Sequence, residues 1–194
     1  MDRTEILNGY ATDMAAVETH ITEAVERQLE SDETKKYPDA VRVLTSLDSA
    51  LKRHVSSLEG YLDGQEGGGI REAVKEAVFG ALGVAAGFYD QLRQQDKVSL
   101  MIRDSYTATS LAAVSYHMLY TTALALKDQR LASIALSNLE DLTTLIGELS
   151  EVVCTVVAAE LTDEDKTIDP TVADEAIRAT QRAWAGTDDA TATA

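Results

Sequence analysis

Apolar residues recur every three or four positions from Ile6 through Tyr10, Met14, Val17, Ile21 and Val25 to Leu29, predicting a first helix of roughly seven turns. The stretch "ESDETKKYPDA" interrupts this pattern with charge and Pro38. Leu44, Leu47, Leu51, Val55, Leu58 and Leu62 then resume the same period, so a second helix should fold back on the first. "DGQEGGG" at 63–69 ends it, because three consecutive glycines carry a large backbone entropy cost in a helix. The uncharged run "AVFGALGVAAGFY" (77–89) is well short of the roughly 20 residues that span a bilayer, which predicts a buried accessory helix near 70–95. Its Gly80, Gly83 and Gly87 lack dinucleotide-loop spacing and better suit close helix contact.

A third helix is expected over Val98–Lys127. "KDQR" links it to a fourth whose stripe is Leu131, Ala135, Leu139, Leu142, Ile146, Leu149, Val153 and Val156. "LTDEDKTID" resembles a linker, and Asp169 before Pro170 is a good start for a short helix ending near Trp184, because the aspartate caps and the proline has no N–H to leave unpaired. The tail "GTDDATATA" has the small, polar, acidic composition of disorder. The expected architecture is all-α: a four-helix bundle over 1–160, followed by a linker, short helix and tail over 161–194.

Composition narrows the function. A formal charge of −16 opposes phosphate-backbone binding, so nucleic acid is not an expected partner. The same acidity fits a high-salt habitat or an ordinary acidic protein. Cys154 can form no internal disulfide, since it is the single cysteine; within "SEVVCTVVAAE" it reads as a packed thiol. "MDRTEILNGY" has no apolar core of a secretory signal, which makes the cytoplasm the expected location, with no membrane partner. No Gly-x-Ser-x-Gly elbow points to nucleophilic catalysis.

Candidate chemistry is sparse. Glu18, His20 and Glu23 lie within two turns of helix one, but their phase against the Ile6–Leu29 stripe makes them a solvated face. Asp104 and Asn138 fall on apolar stripes of helices three and four, where a buried polar group needs a partner and an interhelical hydrogen bond is expected. On helix three, Leu111, Ser115, Met118 and Thr122 read as the inward stripe and Tyr106, Tyr116 and Tyr120 as the opposite face. Such a helix needs cover on both sides, from the accessory helix or from a second subunit, and a homodimer is the expected state.

Two helical hairpins joined by a glycine-rich crossover resemble the ferritin-like superfamily, and its YciE/YciF-type stress-associated branch in particular. The resemblance covers about residues 5–156 and rests on "YATD" with Asp13, "LKRHVSSLEGYL" with His54, "AAVSYHMLY" with His117 and "NLEDL" with Asp141. It implies a bundle whose four helices offer Asp13, His54, His117 and Asp141 as possible ligands. Di-iron bundles take a Glu from each of two helices and Glu-x-x-His from each of the others. No Glu-x-x-His occurs in this chain: Leu51 precedes His54 by three, Val114 precedes His117 by three, and Tyr116 stands where the family Glu is expected. The expectation is therefore a non-catalytic structural, binding or stress-associated module without a cofactor. The alternative is a mononuclear Fe, Mn or Zn protein, or weak oxidase, using those four residues.

Overall fold

The computed structural model describes residues 2–64, 97–164, 167–169 and 171–185, and the regular elements among them are helices. They are α1 (Arg3–Glu30), α2 (Pro38–Asp63), α3 (Val98–Ala125), α4 (Gln129–Asp163) and α5 (Val172–Ala185), with a 3₁₀ turn over Thr34–Lys36 between α1 and α2. The expected accessory helix and the terminal tail lie outside the described residues.

Three of the helix starts have a local cause, and that of α3 a distant one. Asp2 and Glu5 form a reciprocal capping box: Asp2 Oδ1 accepts from the Glu5 N–H at 2.8 Å and Glu5 Oε2 from the Asp2 N–H at 2.7 Å. Pro38 occupies the first turn of α2, where its missing N–H costs nothing. Asp128 caps α4 by accepting from the Leu131 N–H at 2.9 Å. α3 has no cap from its own N-cap residue. Instead Glu160 of α4 accepts from the Ser99 N–H at 2.9 Å and the Ser99 hydroxyl at 2.6 Å, setting a carboxylate on the positive end of α3.

α1 packs against α2 and α3, and α4 packs against α2 and α3. At one end of this square, the Arg3 Nε donates to Leu126 O at 2.7 Å, Tyr61 donates to Asp128 at 3.1 Å, and Arg130 donates to Gly60 O at 2.8 Å. At the other end Gln28 donates to Met101 O, Tyr37 to Asp163, and Lys97 pairs with Glu164. Neighbouring helices are thus antiparallel, whereas α2 and α3 run in the same direction. Gly64 and Lys97 therefore sit at opposite ends, about 42 Å apart along a helix of this length at 1.5 Å per residue. α5 lies outside the square on α4, with Trp184 edge-on to Tyr106 at 6.1 Å.

The core is leucine and alanine: Leu44, Leu47, Leu51, Leu58, Leu119, Leu131 and Leu142 are fully enclosed, with Ala11, Ala15, Ala40, Ala112, Ala123 and Ala135 between them. Two inward faces differ from the sequence expectation. α1 turns Leu7, Ala11, Met14, Ala15, Glu18, Ile21 and Val25 inward and leaves Tyr10 exposed. α3 buries Ile102, Ser105, Thr109, Ala112, Tyr116, Leu119 and Ala123, while Leu111 and Met118, expected inside, are 58% and 53% exposed. Met14, Ile21 and Val25 point inward as expected, and in both helices small residues such as Ala11, Ala15, Ala112 and Ala123 share the interior with large ones and let the helices approach closely.

α4 also continues to Asp163, through the first residues of the expected linker. By length and composition it could cross a bilayer. Its packing against α2, α3 and α5 is the setting of a bundle core helix.

Candidate functional site

One buried polar cluster draws on all four bundle helices. Glu18 of α1 is completely enclosed, and its Oε1 lies 2.9 Å from His54 Nδ1 of α2. Its other oxygen, Oε2, accepts from the Tyr116 hydroxyl of α3 at 2.8 Å. That hydroxyl accepts in turn from Asn138 Nδ2 of α4 at 2.8 Å, and the same amide reaches Ser57 Oγ at 3.3 Å. His54 turns Nε2 towards Asp141 Oδ2 of α4 at 3.2 Å, and Arg53 donates to that oxygen at 3.0 Å. The imidazole meets the Tyr116 ring edge to face, centroids 6.0 Å apart.

Proton positions follow from the donor inventory. An imidazole that donates to both carboxylates must be doubly protonated; a neutral ring donates to one, and the facing carboxyl on the other side must then carry a proton. Burial pushes the Glu18 carboxyl above its ordinary value, opposed by the hydrogen bond and charge of His54 and by the Tyr116 hydroxyl. Burial likewise raises Asp141, but the hydrogen bonds and charges of His54 and Arg53 outweigh it and hold that carboxyl below the usual range. Burial and the neighbouring Glu18 raise Tyr116, so its hydroxyl stays a donor.

Asp141 is the exit of this chain of contacts. It is half exposed and lines, with Arg53, Thr45, Ser46, Ser49 and Thr144, an open groove of about 430 Å³ between α2 and α4. Protons can exchange with solvent there, whereas Glu18, Tyr116 and Asn138 are closed to any substrate.

Of the ligands that the ferritin-like resemblance suggests, His54 and Asp141 come together, while Asp13 and His117 are exposed on α1 and α3. Among the described residues no three His, Cys, Asp or Glu side chains are grouped to hold a metal. The geometry shows why for Glu18, His54 and Asp141: the two carboxylates meet opposite edges of the His54 ring and do not converge on one point.

The expected solvated face on α1 is overturned. Glu18 and His20 are buried and Glu23 alone of the three is exposed, because the inward stripe of α1 is centred on Ala11 and Ala15 rather than on Tyr10 and Val17. Tyr116, expected on an outward tyrosine face, is wholly interior, while Tyr106 and Tyr120 are half-buried flanks. Asn138 makes the interhelical hydrogen bond expected of it. Asp104 pairs with its neighbour Arg103 instead, at 2.7 Å. The signal for Tyr116 was in the sequence: it stands where the ferritin-like resemblance expects a carboxylate, and a hydroxyl there still has to meet a polar partner. Cys154 is half-buried, and burial with the nearby Glu151 raises its thiol away from reactivity.

Comparison with known proteins finds no matching family model, no matching curated protein and no matching solved structure.

Proposed function

We propose that the chain is a ferritin-like four-helix bundle in which a self-satisfied hydrogen-bond network stands in place of a di-iron centre, and that it acts as a non-catalytic structural or binding module of the stress-associated kind. The parallel course of α2 and α3, which requires a crossover along the bundle, supports the ferritin-like connectivity. The observation that carries the functional reading is Tyr116: at the position where the resemblance expects a metal-binding Glu, its hydroxyl occupies one Glu18 oxygen while His54 occupies the other. A metal at Glu18 would have to displace both. With His54 held between two carboxylates, the donors that could bind a cation already satisfy one another.

Elemental analysis of protein expressed with added iron, manganese or zinc tests the reading. The expected result is sub-stoichiometric metal, unchanged in His54→Ala. Stoichiometric metal that disappears in His54→Ala overturns it in favour of the mononuclear alternative built on His54 and Asp141.

A further inference from the structure

The outward face of α3 breaks the surface pattern of this protein. Between Asp104 and Lys127 the chain has no Asp, Glu, Lys or Arg; at the overall 26% charged, those 22 residues (105–126) would carry about six. The helix is not enclosed on all sides. Leu111, Val114 and Met118 are 58%, 54% and 53% exposed, on the side opposite Tyr116. Trp184 of α5 meets α3 further back, at Tyr106. Met118 also forms one wall of a cavity of about 140 Å³ between α1 and α3, whose other walls are Tyr10, Asp13, Met14, Val17 and Ser115. Apolar side chains that project next to an apolar hole are unusual on a monomer surface and typical of an interface.

We infer that this face binds a second copy of the chain in a two-fold contact, α3 antiparallel to its copy, with Met118 of each chain seated in the Tyr10–Met14–Val17 cavity of the other. This goes beyond the functional reading above and rests on different observations. Charge selects the occupant. A basic partner would be held by carboxylates, and of the residues lining the cavity Asp13 alone supplies one. An anionic lipid surface is repelled by a chain of net charge −16. Two copies of so acidic a chain repel each other over most of their surface but can meet along α3, which carries no Asp, Glu, Lys or Arg over 105–126, with Asp13 left at the edge of the contact. The face also has both the projecting and the receiving half of the contact, which an isologous dimer requires.

The patch is modest. Leu111–Ala125 spans about 22 Å at 1.5 Å per residue, and two neighbouring helices are roughly 20 Å wide, which suits a reversible dimer at the small end of specific interfaces. Screening of the surrounding acid strengthens it with salt.

Sedimentation of the full chain over a range of concentrations, at low and high salt, is the test. The mass should rise from 20.9 kDa towards twice that value, at lower concentration in high salt. Met118→Arg and Leu111→Arg should each weaken the dimer at least tenfold with helical content unchanged, while Val157→Arg, on an exposed position of α4, should not. A wild-type chain of 20.9 kDa under all conditions overturns the inference and assigns the face to intrachain packing or another partner. So does a dimer that survives both α3 substitutions. If either variant loses its fold, the other and the wild-type concentration series decide.

Discussion

The Tyr116 hydroxyl donates to Glu18 Oε2 at 2.8 Å from the opposite hairpin, and neither residue is reached by solvent. Two bonds are at stake at the Tyr116 hydroxyl, since it also accepts from Asn138 Nδ2. Tyr116→Phe keeps the ring, strands a carboxylate oxygen of Glu18 and leaves the Asn138 amide with the longer bond to Ser57. The expected loss is about 1–3 kcal/mol, read by urea denaturation. A neutral substitution would show that the network contributes nothing to holding the hairpins together.

Glu18 sets a pH dependence of definite sign. Burial raises its carboxyl above 4.5, so the folded chain takes up a proton at higher pH than the unfolded chain does. Stability from this group therefore increases as pH falls through the raised value towards 4.5. Relative to the non-titrating Glu18→Gln, the wild type should gain stability as the pH falls from neutral towards 4.5. Asp141 acts in the opposite sense: its carboxyl is held below 3.8, so its contribution is present above that value and is lost as pH falls through the depressed one. Denaturation of both proteins across this range checks the sign, and a gap that widens against the wild type on acidification contradicts it.

The α3–α4 turn stores strain at one residue. Lys127 has φ of 58°, and the bonds Lys127 N–H to Leu124 O and Asp128 N–H to Ala123 O form a Schellman ending, whose left-handed position favours glycine. Lys127→Gly should raise stability by about 0.5–1 kcal/mol, the strain relieved exceeding the entropy cost of glycine in the unfolded chain. Thermal unfolding measures it; a lower melting point would mean that the lysine side chain contributes more than its backbone costs.

Asp128 joins three elements: it caps α4 at Leu131, accepts from Tyr61 of α2 and pairs with Arg3 of α1 at 3.6 Å. Asp128→Ala should cost about 1–3 kcal/mol, as the cap and the Tyr61 partner are lost together. Arg42→Ala, which removes an exposed pair with Glu148 at 2.9 Å, should change stability by no more than about 0.5 kcal/mol. Equal effects from the two would refute the contrast between buried and exposed partners.

Helix boundaries were legible because their causes are local: Pro38 at the start of α2, the glycine run after Asp63, Asp128 before α4. Which side of α1 and α3 faces inward was not. Periodicity read from large apolar residues favoured Tyr10 and Val17 in α1 and Leu111 and Met118 in α3, whereas this core is built at Ala11, Ala15, Ala112 and Ala123. An alanine stripe attracts little weight in such a reading, yet it is what lets antiparallel helices close together. The buried cluster was misplaced for the same reason. Once the face of α1 is rotated, Glu18 moves from the expected solvated face to the interior, and Tyr116 follows on α3.

The antiparallel square has a hidden near-symmetry: a two-fold rotation perpendicular to the bundle exchanges α1 with α3 and α2 with α4, turning one hairpin into the other. The polar cluster does not obey it. Glu18 and His54 belong to the first hairpin, Tyr116, Asn138 and Asp141 to the second, and each set lacks what the other supplies. Two first hairpins from different molecules would bury two Glu18 carboxylates without a Tyr116 donor, and two second hairpins would bury Tyr116 and Asn138 without an acceptor. The cluster thus acts as a key that admits only the unlike hairpin, which disfavours the pairing of like hairpins from two molecules as the chain folds.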